Sequence, residues 1–534
     1  MPLTSVTDLG AIGLVEDKEP VTLPPNAWNE MQNMRCEDRS IRSFDGSVAF
    51  AETSVDAQTI VQVKSSSSNY LVYAGGDSIY SLVGHTETDI SGKTYKNWGW
   101  WDSCVLGGVG IFNNGLENPQ YWGGLGLAQD LPYDSTDETV TCTWDTVGMK
   151  AQVIRPFRYH LFALDVEDCS GRNRRKVHWS HPAEPGSLPI TWDPTKPEYD
   201  AGFVELSDTP GPILDALIMR DTLQIYKEDA IYSCSYTGRA DNLIFNFRKV
   251  SNKGLYARNC VVDVGGRHFF VSDGDIYIYD GTSFNSIADE KVKLTFFAGV
   301  NPSYFDKTYC VFYDRTAEVW LCYPSTNSVD CDQALVWDST ANTWSRRQIP
   351  TANCATFAVI DDGSNAATTW DDLTTSGDTW VDIATAGTTW DDWGPTITNT
   401  SLQDGLVMAS VDTTGAGEGS LYHMDAGVNT EDGTTMTCYA RRTHLDLGDK
   451  LDWHMVTRIL PYADGDPFRV RVGSQPNITA AVTWTDYQTF DPDTDYKIDF
   501  RVSGRLHAIE FSSAADVSWR VSGYEVEFIG VGRQ

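Results

Sequence analysis

His268-Phe269-Phe270-Val271-Ser272-Asp273-Gly274-Asp275-Ile276-Tyr277-Ile278-Tyr279 is the stretch that decides the fold. Two runs of aromatic and β-branched residues flank an Asp-Gly pair, the composition of two antiparallel strands joined by a tight turn. In the second run Ile276 and Ile278 alternate with Tyr277 and Tyr279, so both faces of the strand carry packing groups. A strand apolar on both faces needs cover on both, which stacking of sheets around an axis supplies while leaving few exposed edges.

The same unit recurs outward from that point. Tyr70–Tyr73 leads through Gly75-Gly76-Asp77 into Ile79–Leu82, and Cys104–Leu106 leads through Gly107-Gly108 into Gly110–Phe112. Another version starts at Tyr159–Leu164, and Leu223–Tyr226 passes Glu228-Asp229 into Ile231-Tyr232. A sixth runs from Tyr309 through Trp320 to Trp337 and Trp344. Sheet units at such intervals predict an all-β chain whose residues 55–360 form a β-propeller of about six blades. A large sandwich would accommodate the same strands. Residues 1–54 are expected to close or flank the propeller. Residues 401–534, ending in the strands Leu506–Phe511 and Tyr524–Phe528, are expected to form a C-terminal β-sandwich-like domain. Between them, residues 361–400 carry Trp370, Trp380 and Trp390 at ten-residue spacing, each within a Thr-Trp-Asp-Asp or Thr-Trp-Val-Asp run. A repeat that short cannot bury a core alone, so it is read as an arm whose indole rings pack on a neighbouring blade.

Composition narrows the function classes. With 74 acidic against 40 basic residues the net charge is −34, the reverse of a surface that grips nucleic acid or anionic lipid. Acidity keeps a sheet-rich surface soluble. In a ring around DNA it would also repel phosphate and let the duplex slide. No apolar run approaches the length of a bilayer-spanning helix, and Met1–Asp17 lacks the basic start and apolar stretch of a secretory signal. Eleven cysteines without CxxC pairs are expected to be reduced thiols.

No motif announces catalysis or a metal, so catalytic, cofactor-binding and metal residues are each expected to be none. His178, His181 and Glu184 have a ligand-like spacing, but Pro182 and Pro185 exclude the helix that would align them, leaving a blade-edge loop. His454 and His507 are expected as satisfied strand residues. Asp273-Gly274-Asp275 and Asp361-Asp362-Gly363 lack the remainder of a calcium loop and fit turn chemistry. Ser376-Gly377-Asp378-Thr379-Trp380 only loosely resembles the Asp-box of sialidases and does not keep its order. Arg172, Arg174, Arg175 and Lys176 form one basic cluster, read as a solvated loop or as a docking point for an acidic neighbouring subunit.

Several stretches, taken in order, resemble the tail hub and nozzle proteins of short-tailed bacteriophages. They are Leu23-Pro24-Pro25-Asn26-Ala27-Trp28, Asn33-Met34-Arg35, and Ile41 with Phe44-Asp45-Gly46; then Asn113-Asn114-Gly115 with Pro119 and Tyr121-Trp122. Further along come Val177-His178-Trp179-Ser180-His181-Pro182 with Trp192, the Trp-Asp-Asp repeat, and Ser503-Gly504-Arg505 to Trp519–Tyr524. The resemblance touches both ends and the middle of the chain. It implies a non-enzymatic virion protein without cofactor, assembled in the host bacterial cytoplasm into the tail. There a homo-hexameric ring would sit below portal and adaptor, contact head-to-tail connector proteins and tail fibres or tailspikes, retain the packaged genome, and pass genomic DNA through its lumen. Six copies would carry on the order of −200 formal charge. Two alternatives stand beside it: a carbohydrate- or receptor-binding tail module, which predicts tryptophan rings open to solvent, and a propeller glycoside hydrolase, which needs a free pair of carboxylates.

Overall fold

The computed structural model describes residues 3–65, 68–96, 100–134, 142–144, 148–238, 244–360, 403–411, 419–448 and 452–532. The chain is all-β: a β-propeller with a β-sandwich packed against it. The deciding stretch forms the strands His268–Ser272 and Asp275–Tyr279, paired Ser272↔Asp275 around Gly274 at φ +78°. His268–Ser272 is buried along its whole length, as the second strand of a blade must be when other blades cover both its faces. Glu318–Tyr323 is buried in the same way. At Leu106↔Val109 the turn residues Gly107 and Gly108 both have positive φ, +57° and +91°, the twist-matched geometry of a two-residue hairpin.

Five four-stranded antiparallel sheets follow one another: 59–89, 102–130, 150–205, 213–251 and 261–286. A sixth comprises Tyr309–Tyr313, Glu318–Tyr323, Cys331–Asp338 and the first half of Thr343–Ile360. The second half of that long strand leaves its sheet and opens another. The ladder skips between Gln333↔Gln348 and Cys331↔Ala352, where Pro350 has no N–H to offer, and from Ala352 onward the strand pairs with Gln403–Ser410 instead. Gly419–Met424 and then the N-terminal strand Ser47–Thr53 complete this seventh sheet.

Seven first strands lie side by side in a closed ring, beginning at Thr59, Asp102, Lys150, Ile213, Val261, Tyr309 and Cys354. The ring shuts where Cys354 Sγ lies 3.6 Å from the Ala57 carbonyl and Gln62 donates to the Val359 carbonyl at 3.2 Å. Tyr313 and Phe357 meet at 6.0 Å on the other side of that strand. The propeller therefore has seven blades and extends to Met424. The seventh escapes a sequence reading because its strands come from three separated segments. The 361–400 repeat, with its expected packing of Trp370, Trp380 and Trp390, lies outside the described residues. It is flanked by Ile360 and Gln403, which pair with each other at the hairpin root.

The N-terminal segment does two things. Ser47–Thr53 closes the last blade, while Leu3–Thr7, Glu30–Gln32, Met34–Glu37 and Ser40–Ser43 join the C-terminal sheets. One sheet of the sandwich holds Trp453–Gly465, Ile498–Gly504 and Trp519–Gly532; the other holds Cys438–Leu445, Phe468–Gln475 and Leu506–Ser513. Ile498–Gly504 alternates buried and exposed without a slip, and Trp519 stacks on Phe468 at 4.8 Å between the sheets. The two domains meet at a buried ionic joint. Arg35 forks onto Glu318 of the sixth blade at 2.7 and 3.0 Å and onto Asp425 at 3.2 and 3.0 Å, with its guanidinium 4.5 Å from the Phe44 ring.

Candidate functional site

Because the first strands all run the same way along the axis, their N-terminal ends converge on one mouth of the channel. Residues from six of the seven blades and the loops leading into them line a cavity of about 420 Å³ there. Its centre is a chain of charges crossing three blades. Asp102 accepts from Arg155 Nη1 at 2.7 and 2.8 Å and from the Ile154 N–H at 3.0 Å. Arg155 Nη2 reaches Asp215 at 2.9 Å, and Asp215 also accepts the Ala216 N–H at 2.7 Å.

Burial works against the charge on Arg155, but Asp102 and Asp215 outweigh it and raise its pKa. Burial pushes the Asp215 carboxyl up, with Arg155 opposing. Both carboxylates are thus occupied in holding one guanidinium, an arrangement that fixes three blades to one another and leaves neither carboxylate free as the partner of a general acid.

Arg258, on the loop entering the fifth blade, differs. Its Nη2 donates to Gln152 Oε1 at 3.4 Å, and no carboxylate among the described residues lies within ion-pair distance. Burial lowers its pKa, against the more distant pull of Asp102, Asp165 and Asp215. Trp100, Trp101, Tyr256 and Phe305 form apolar wall, with Tyr256 and Phe305 4.9 Å apart, and the exposed Arg174, Glu228 and Asp306 lie at the rim.

Of these residues the sequence reading named only Arg174, in the basic cluster, and Glu228, in a turn. The available signal was a charge inside an apolar strand, Asp215 within Ile213–Met219 and Arg155 within Lys150–Phe157. Only ring geometry shows that the two meet.

The residues that were singled out are dispersed. His178 is buried in the strand Gly171–Trp179 and bonded to the Trp192 carbonyl at 2.7 Å; burial pushes its pKa down to about 4. His181 instead accepts the Asp200 N–H at 3.0 Å. No cluster of three or more potential metal-ligating His, Cys, Asp or Glu side chains occurs among the described residues. His454 and His507 lie in sandwich strands, and both are buried.

The basic cluster is not a loop. It belongs to the third strand of the third blade, where Arg172 forks onto buried Asp165 at 3.0 and 2.7 Å, Arg175 meets Glu205 at 2.9 Å, and Lys176 meets Asp168 at 2.6 Å. Arg174 lies 3.9 Å from the same Asp165. Cys142 and Cys169 form a disulfide at the tip of this strand's hairpin, which departs from the expectation of reduced thiols throughout; the other nine cysteines are free. Trp28, Trp192, Trp320, Trp344 and Trp519 are fully buried, and Trp100, Trp453 and Trp484 are half-buried; none of the described tryptophans is in the exposed class.

No family model and no curated relative matches the chain. Among solved structures, a quinoprotein alcohol dehydrogenase-like protein from Bacteroides thetaiotaomicron is similar at 10% identity and a TM-score of 0.29. The match covers 54% of this chain and 65% of that one, just under two thirds of its length. A likeness that low carries no chemistry across. Among the described residues, no helix is long and apolar enough to cross a membrane.

Proposed function

We propose that the protein is a structural subunit of a short-tailed phage tail, part of a nozzle or hub ring below portal and adaptor, and that it is not an enzyme. The resemblance of stretches at both ends and in the middle of the chain to that family motivates the reading. The observation that best supports it is the way the ends are locked. The N-terminal strand Ser47–Thr53 closes the propeller, and strands among residues 3–43 pair in the sandwich with the last strand Trp519–Gly532, so the sandwich holds the first and last described strands and the N-terminal segment ties it to the propeller. A subunit that bears load during genome retention needs such closure, since pulling on either terminus must break sheet ladders before anything unravels.

The saturated joint at Arg35 and the Asp102–Arg155–Asp215 chain serve the same rigidity. In this reading the net charge of −34 keeps DNA moving past the ring wall, and repulsion between copies is offset by partner surfaces and cations.

Co-sedimentation of the purified protein with portal and adaptor complexes tests the assignment. Stoichiometric capture by the assembled complex, absent with portal alone, is the expected result. Equal indifference to both, together with saturable glycan binding, would move the protein to the receptor-binding class.

A further inference from the structure

The third blade is incomplete at its outer edge. In the fourth blade the third strand, Ile231–Tyr236, is paired along its whole length by the outer strand Phe245–Ser251. In the third blade the outer strand Gly202–Glu205 pairs with Gly171–Trp179 only from Lys176 to Trp179. One further bond, from the Leu206 N–H to the Arg175 carbonyl at 3.0 Å, extends that ladder. The chain then runs through Pro210 and Pro212 into the fourth blade, and no described strand covers the outer side of Gly171–Arg174. Alternate residues of an antiparallel strand turn their N–H and C=O away from the neighbour they have, so this overhang leaves such groups facing outward.

The bare edge borders a groove of about 600 Å³ lined by Arg172, Arg174, Arg175, Lys176, Phe203 and Pro210. Its cations are not fully met. Arg172 takes both oxygens of buried Asp165, at 3.0 and 2.7 Å, so Arg174 reaches that carboxylate only through Nε at 3.9 Å and keeps its side chain 62% exposed. Four cations thus share Asp165, Asp168 and Glu205, a local positive excess on a chain of net charge −34. Beside them the exposed Phe203 ring, with Lys176 Nζ 4.3 Å from its centre, offers apolar contact. The Cys142–Cys169 disulfide ties the hairpin tip next to the edge, which holds the strand ready rather than leaving it to be ordered on binding.

We propose that this edge takes an extended acidic segment of a partner protein as an added strand, main chain pairing with main chain along Gly171–Arg174 while carboxylates of the segment meet Arg174 and the open side of Arg172. The surface goes beyond the tail reading and does not rest on it. A nucleic-acid backbone fits less well: it has no alternating N–H and C=O to continue a sheet, and its unbroken row of phosphates would meet Asp168 and Glu205 in the same groove.

Fluorescence anisotropy of the full chain with a short labelled peptide alternating Thr and Asp tests it. Two control peptides, one with Lys for every Asp and one with Pro for every Thr, separate charge from strand pairing. Saturable binding of the Thr-Asp peptide at least about tenfold tighter than of either control is expected, weakened about tenfold or more by Arg174→Glu with an unchanged melting transition. Binding of the Pro peptide as tight as that of the Thr-Asp peptide would reduce the edge to a charge effect and overturn the proposal. So would tighter binding of single-stranded DNA, unaltered binding in Arg174→Glu, or no saturable signal. Self-association that Arg174→Glu abolishes, without peptide binding, would give the edge to a second copy of this chain and overturn it as well.

Discussion

Two arginines of this chain live in opposite circumstances, one buried and one half-buried. Arg35, at the joint between propeller and sandwich, places four hydrogen bonds on two carboxylates and lies against an aromatic ring. Arg258, at the channel mouth, has one long contact to an amide and no carboxylate partner among the described residues. Arg35 is repaid within the molecule for the water it has lost, whereas Arg258 keeps part of its exposure. A buried charge that is fully met holds structure together; a half-exposed one can be left to solvent.

The sharpest way to break that contrast is to remove the met charge. Arg35→Met leaves Glu318 buried without a counter-ion and Asp425 with only Arg347, at 4.0 Å. It should destabilise the protein by about 3–5 kcal/mol, read as a lower urea midpoint, with loss of contact between the two domains. A midpoint unchanged within error would mean the joint is decorative.

Next in size is a comparison of buried imidazoles, His178 in the propeller and His507 in the sandwich. Burial pushes both down to about 4, against about 6.5 in the unfolded chain. Their folded pKa values are depressed, so their contribution to stability is full above about pH 6.5. It is lost as pH falls towards 4, because only the unfolded chain takes up the proton across that window. Each imidazole contributes on the order of 3 kcal/mol to the loss. Stability measured against pH should fall across this range, and His178→Phe should shallow the slope.

Arg258→Met is expected to be the mild counterpart of the joint substitution, changing stability by less than about 1 kcal/mol because no ion pair is broken. A loss as large as that of Arg35→Met would show that distant Asp102 and Asp215 depend on Arg258 after all. Smallest is the thiol response. Burial holds Cys36, Cys104 and Cys322 at about 12, so they stay protonated and should react with thiol reagents only as fast as the protein opens.

How much of this was legible in sequence divides along the same lines. Each of the six units read from alternation falls within a real blade, because its strands and turns are neighbours in the chain, the longest running only from Tyr309 to Trp344. Ile498–Gly504, with its strict alternation, is equally plain. The seventh blade was not legible, since Leu421 pairs with Ala51 and nothing in either neighbourhood names the other. The role of residues 3–43 in the sandwich was hidden for the same reason.

The mouth cavity is the extreme case. Asp102, Arg155, Asp215 and Arg258 are far apart in sequence, and only the closing of the ring brings them to one place. The residues that drew attention by spacing, His178 and His181, turned out to satisfy separate backbone groups. Spacing along a chain implies proximity only within one regular element, and Pro182 and Pro185 end any such element there.

The central claim is that this rigid two-domain chain is the repeating unit of a tail ring. The most direct measurement is its mass and rotational symmetry, by light scattering and negative-stain imaging, alone and then mixed with portal and adaptor components. A sixfold ring with an open lumen, formed alone or on the adaptor, is the predicted result; a monomer that stays a monomer in the presence of the complete portal assembly would contradict it.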